Sequence, residues 1–170
     1  DDPLQNLTAR SAVVIDAASG QVIYERNKDE RRFPASTTKI MTLILALEHS
    51  NMDDMVTVSS NAAGTEGSTL WLEAGEKIRM GDLLYGMMMH SGNDATVAVA
   101  EHIAGSVDKF AAMMTAKAHE IGAVNTNFAN ANGLPREDHY TTAYDLAKIT
   151  AYGYRVPGFE QIVSTKEIDF

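Results

Sequence analysis

Pro34-Ala35-Ser36-Thr37-Thr38-Lys39-Ile40-Met41-Thr42-Leu43-Ile44-Leu45-Ala46-Leu47 is the stretch around which the rest of the chain organises itself. It reads as one helix over 36–48, entered through a proline that cannot continue an earlier helix. From Ile40 onward the pattern is apolar on every side, so this helix belongs inside a domain rather than on its surface. The run 40–47, interrupted by Thr42, is far too short to span a bilayer. At its mouth stand Ser36 and Lys39. Positions three apart share a helix face, so this hydroxyl and this amine can meet at hydrogen-bond range. The first turn also offers unpaired backbone N–H groups and the positive end of the helix dipole. A serine so placed is a candidate nucleophile. The amine is its candidate base, if desolvation and a nearby positive field keep it neutral. The competing reading makes Ser36 a helix cap and Lys39 a solvated side chain, and the spacing alone does not refute it.

Residues 11–16 and 21–26 are β-branched and apolar, and Ala17-Ala18-Ser19-Gly20 between them predicts a hairpin turn. Residues 27–33 are a charged loop. Residues 50–80 are loop-rich, with strand-like Val56-Thr57-Val58 and Lys77-Ile78-Arg79-Met80 on either side of the small, polar Gly64-Thr65-Glu66-Gly67-Ser68-Thr69. Helices are predicted over 82–89, 93–104 and 108–121, the last two stopped by Gly105 and Gly122. Met87-Met88-Met89 reads as core packing. A turn-rich loop over 125–135 contains Asn132-Gly133, and Thr142-Ala143-Tyr144-Asp145 opens a further helix. Residues 162–170 alternate as a strand would. One hairpin and one terminal strand make a poor sheet for so many helices to cover.

The chain has 170 residues, 14 basic against 23 acidic, and a formal net charge of -9. That length suits a single domain with a real core. The acidic balance argues against nucleic acid or anionic membrane as partners. There is no cysteine, which removes disulfides, thiolate metal sites and thiol catalysis together. The five histidines show no metal-ligand spacing, so neither a metal nor another cofactor is expected. The polar start at Asp1, without Met, is what removal of a signal peptide or trimming would leave.

A second candidate constellation is Ser91-Gly92-Asn93, in the break between two apolar helices. There a hydroxyl could relay a proton and a carboxamide could hold a peptide backbone. Each pattern has a decoy. Ser106-Val107-Asp108-Lys109 follows Gly105 and reads as a helix-start device, and Ser59-Ser60-Asn61 reads as a capped turn. Ser-x-x-Lys followed in order by Ser-x-Asn is more specific than either alone, and both belong to the signature of penicillin-binding proteins and class A β-lactamases. Together with Gly67-Ser68-Thr69-Leu70-Trp71-Leu72, residues 128–133 and Tyr140-Thr141-Thr142-Ala143-Tyr144-Asp145-Leu146-Ala147, the chain resembles the low-molecular-mass penicillin-binding proteins. These are the serine-type D-alanyl-D-alanine carboxypeptidases. The resemblance covers about 8–170.

That resemblance implies an α/β fold of the transpeptidase type, a sheet flanked by a helical subdomain with the site between them. Residues 1–170 would be the N-terminal portion of one such domain, with the hairpin about 11–26 and the helical subdomain about 36–155. It implies removal of the terminal D-alanine from peptidoglycan stem peptides outside the cytoplasmic membrane, with β-lactams as covalent inhibitors. By position, Ser36 would be the nucleophile, its N–H half of the oxyanion hole, and Lys39 the base. Ser91 would assist proton transfer, Asn93 would bind substrate, and Ser68 and Thr69 would lie near the cleft. The family's third motif, Lys-Thr-Gly, does not occur after Asn93. A complementary C-terminal fragment of the same precursor is therefore an expected partner, and the sheet is expected to be incomplete in this chain. Two other readings stay open. One is a non-catalytic domain that binds peptidoglycan or a partner protein. The other is a β-lactamase, for which Glu137 and Asp138 are the nearest carboxylates but read as solvated loop charges.

Overall fold

The computed structural model describes residues 12–15, 22–26 and 29–164, the first two segments and Ser36 by their backbone only. Strands β1 (Ala12–Ile15) and β2 (Val22–Arg26) pair antiparallel as the predicted hairpin, with Ala12 opposite Arg26. A short 3-10 turn, Ala35–Thr37, leads into α1 (Thr38–His49). Next come β3 (Met55–Thr57), α2 (Ser60–Ala63), β4 (Lys77–Arg79) and α3 (Met80–His90). Helices α4 (Asn93–Ala104), α5 (Val107–Glu120), α6 (Ala143–Gly153) and α7 (Phe159–Val163) complete the order.

Helix α1 is the hub. Ile40, Met41, Leu43, Ile44, Leu45 and Ala46 are all essentially inaccessible, and α3, α4, α5, α6 and α7 pack around them. Each of the larger side chains contributes about 2 kcal/mol by leaving water. This confirms the apolar helix as an interior one. Met87 and Met88 join the same core, whereas Met89 faces out. Among the described residues no helix is long and apolar enough to cross a membrane.

Local chemistry sets the helix ends. Ser106 Oγ accepts the N–H of Lys109 at 3.2 Å, so the second Ser-x-x-Lys is the helix-start device its context suggested. Ser59 caps α2 in the same way, accepting from Ala62 at 3.0 Å. Gly105, at φ 88°, closes α4 in the left-handed conformation that glycine adopts without penalty. Thr142 caps α6 by accepting from Asp145 N–H at 3.0 Å. The Asp145 carboxylate does not reach back to complete a capping box. It accepts instead from Asn125 N–H at 2.7 Å and Thr126 Oγ1 at 2.8 Å, which ties the 125–126 turn to the helix.

The strand-like pieces near 56–58 and 77–80 become β3 and β4, and one sequence expectation changes. The described strands form two separate antiparallel pairs, β1 with β2 and β3 with β4. The strand predicted over 162–170 begins instead as helix α7, because Phe159, Ile162 and Val163 bury one helical stripe. Residues 165–170 lie outside the described residues. The small α2 was not separated from its loop by pattern, being only one turn long.

Candidate active site

Pro34 and Ala35 prepare the mouth of α1. The Pro34 carbonyl accepts both the Thr37 N–H at 3.2 Å and the Thr37 hydroxyl. Ala35 has φ 51°, a left-handed conformation costly for a residue with a Cβ. The Ser36 backbone therefore sits in the middle of the 3-10 turn, two residues before Thr38, the first α-helical residue. The Ser36 side chain, and with it the expected Ser36–Lys39 hydrogen bond, lies outside the described residues.

Lys39 is not a solvated helix residue. It is only 3% exposed, and its Nζ donates to the Asn132 carbonyl at 2.9 Å. One turn later, Thr42 Oγ1 donates to the Ala131 carbonyl at 2.7 Å. The same face of α1 thus grips the loop 130–134 twice. That loop is stiffened from within. Asn130 Oδ1 accepts from Gly133 N–H at 2.8 Å, Asn130 Nδ2 donates to Leu134 O at 2.8 Å, and Asn132 Oδ1 accepts from Leu134 N–H at 2.9 Å. Gly133 (φ 99°) lies against Ala35 so closely that a Cβ there would fall 1.7 Å from the Ala35 carbonyl oxygen.

The Ser-Gly-Asn turn closes the other side. Ser91 ends α3 in a left-handed conformation (φ 52°), and Asn93 opens α4. Asn93 is buried. Its N–H donates to Ser68 O at 2.7 Å and its Nδ2 to Glu66 O at 3.0 Å. A Cβ on Gly67 would lie 2.5 Å from Asn93 Nδ2 and 3.9 Å from Leu134. So the segment 66–72 touches Asn93 on one flank and the 130–134 loop on the other. Of the residues expected from sequence, Asn93 meets Ser68 directly, and Lys39 holds the 130–134 loop that borders the same segment. Thr69 follows on the same segment.

Three contributors were missed by sequence reading. Asp94, 1% exposed, accepts from the N–H groups of Leu70, Leu72 and Ala95 at 2.9, 3.0 and 2.9 Å, which fastens 70–72 to α4. Thr38 and His139, paired with each other, are the other two. His139 is fully buried, its Nδ1 accepts from Ala129 N–H at 2.9 Å, and its Nε2 lies 2.9 Å from Thr38 Oγ1. A backbone N–H can only donate, so the neutral ring carries its proton on Nε2 and donates it to Thr38. The signal was faint: a buried Asp or His is invisible to hydropathy, although Asp94 does directly follow the Ser-Gly-Asn motif.

Burial holds the His139 pKa down at about 4, against the attraction of Asp138 and together with the repulsion of Arg136. A depressed pKa means the native state resists protonation, so this histidine's contribution is complete above its unfolded value of about 6.5. It is lost as pH falls towards 4. We expect stability in urea to decline between pH 6.5 and 4 with uptake of up to one proton on unfolding from this residue. In His139→Gln the proton uptake in that window should shrink accordingly.

The family model for D-alanyl-D-alanine carboxypeptidases matches residues 2–170. The chain belongs to the D-alanyl-D-alanine carboxypeptidase family. It is 46% identical over 144 residues to the D-alanyl-D-alanine carboxypeptidase DacF of Bacillus subtilis, covering 82% of this chain and 37% of that one. It is 36% identical to DacC of Escherichia coli, covering 97% and 44%. The crystal structure of the D-alanyl-D-alanine carboxypeptidase DacD from Francisella tularensis superposes with a TM-score of 0.86 at 41% identity, covering 92% of this chain and 40% of that one. Penicillin-binding protein 5 from Haemophilus influenzae gives 0.85 at 37% identity, covering 96% and 50%. These carboxypeptidase relatives confirm the transpeptidase-type fold expected from the motifs. The chain spans less than half the length of these two curated relatives.

Proposed function

We propose that this chain carries the acyl-transfer centre of a serine-type D-alanyl-D-alanine carboxypeptidase acting on peptidoglycan stem peptides outside the cytoplasmic membrane. The observation that carries the reading is the buried Lys39, pinned by Asn132 O one turn along from Ser36. An amine serving only solubility would be solvated. In the proposed reaction the Ser36 hydroxyl attacks the carbonyl between the two D-alanines, and its proton passes to neutral Lys39. The Ser36 N–H donates to the oxyanion. Ser91 helps deliver a proton to the departing D-alanine amine, and Asn93, held by Glu66 and Ser68, binds the peptide backbone. Ser68 and Thr69 border the same cleft. Water then attacks the acyl-enzyme, releasing the shortened peptide and restoring the Ser36 hydroxyl.

β-Lactams present a strained amide to the same hydroxyl and acylate it. Residues 36–155 serve as the helical subdomain of the catalytic domain. A second oxyanion donor and a carboxylate-binding group are supplied by a complementary C-terminal segment that carries Lys-Thr-Gly. The wall location follows from that of the substrate.

The test is an intact-mass spectrum after incubation with benzylpenicillin. We expect one adduct, of the antibiotic's mass, on this chain and none on Ser36→Ala. An adduct that survives in Ser36→Ala, or fast turnover of penicillin with no adduct, would overturn the reading.

A further inference from the structure

Trp71 is the chain's one tryptophan, and it is 88% exposed. It also sits at φ 59°, a conformation that costs any residue with a Cβ. The strain has an identifiable cause. The Asp94 carboxylate takes the N–H groups on both sides of it, from Leu70 at 2.9 Å and Leu72 at 3.0 Å. Leu70 packs inward over Gly86 and Gly92, and Leu72 is buried. The backbone between these anchors has no choice of direction, and the indole is held out into water. A buried carboxylate thus fixes a strained loop that presents a large aromatic face, and such arrangements persist where surrounding structure over-determines them.

The position matters. Three residues earlier, Ser68 O accepts from Asn93 N–H at 2.7 Å, so the same segment borders the substrate-binding turn. We propose that Trp71 is a stacking platform for an amino-sugar ring of the peptidoglycan glycan strand, next to the stem peptide held at Asn93. This rests on the reading of the substrate as peptidoglycan, not on the chemistry at Ser36. A flat indole suits the apolar C–H face of a pyranose. The exposed Glu66 and Glu73 on the same segment can accept hydrogen bonds from sugar hydroxyls. Those carboxylates, with a chain charge of -9, disfavour an anionic lipid surface as the occupant.

The probe is the disaccharide tetrapeptide, a reaction product that is not turned over, against the free tetrapeptide. We expect the disaccharide form to shift the emission of this single tryptophan saturably to the blue, while the free peptide leaves it unmoved. Trp71→Gly suits the backbone, so its thermal midpoint should equal or exceed that of the parent. Its calorimetric affinity for the disaccharide form should fall at least tenfold, with affinity for the free peptide unchanged. Emission unmoved by the disaccharide form, or equal losses for both ligands, overturns the proposal. So does a shift produced by phosphatidylglycerol vesicles and not by the sugar. None of these readouts uses acylation, so glycan binding that persists in a protein failing the penicillin test would sink the catalytic reading and leave this one standing.

Discussion

Gly133→Ala should lower the stability of the protein by about 4 kcal/mol or more, a loss at the extreme of single substitutions. The added Cβ would fall 1.7 Å from the Ala35 carbonyl oxygen and 2.2 Å from its carbon, inside the distance of any non-bonded contact. Both are backbone atoms and cannot swing aside as a side chain would. Gly133 also holds φ 99°, so relaxation by rotation is closed. The two segments would have to part, and the Lys39–Asn132 and Thr42–Ala131 hydrogen bonds would go with them. For a urea dependence of about 2 kcal/mol per molar, the midpoint should fall by about 2 M. Gly75→Ala is the control. It shares a positive φ of 87° but has no atom within 4 Å, so only the backbone term of about 1–2 kcal/mol remains. Equal losses in the two variants would show that the contact with Ala35 is unimportant.

Lys39→Met should slow acylation by benzylpenicillin on the order of a thousandfold, the usual scale for removing a general base. Methionine keeps an unbranched apolar stem in the buried channel and deletes the amine. The same change leaves the Asn132 carbonyl without its Nζ donor, at a cost of roughly 1–3 kcal/mol. The two effects separate in measurement: adduct formation timed by intact mass reads the first, and urea unfolding reads the second. Acylation at the parental rate in a folded Lys39→Met protein would remove Lys39 from the mechanism. A stability loss with no kinetic effect would make it a purely structural tether.

These two residues also show where sequence reading reached its limit. Ser36, Lys39, Ser91 and Asn93 stand out in the sequence as candidates because their spacing is local: one helix turn in the first motif, one tight turn in the second. The same locality made the decoy at Ser106 readable, since Gly105 before it announces a new helix. The interior character of α1 was legible because an all-apolar helix has only one stable place to go. The hairpin and the boundaries of α4 were legible for the same local reasons.

What only the tertiary structure decided is which distant atoms fill the remaining hydrogen bonds. Lys39 finds its carbonyl 93 positions later, Thr38 finds His139 at 101, and the N–H groups around Trp71 find Asp94 more than 20 positions on. No pattern of period 3.6 or 2 encodes such pairings, because they depend on the direction of single carbonyls in irregular loops. Likewise, Asn132-Gly133 announces a turn in the sequence, but that its glycine must admit the Ala35 carbonyl is a fact of packing. By itself the sequence determined the motifs, the central helix and the family resemblance, all fixed by neighbours along the chain. The fold decided what holds Lys39, what clamps the strained turn at Trp71, and which glycine has no substitute. Those depend on backbone polar groups that burial obliges to find partners wherever the chain brings them.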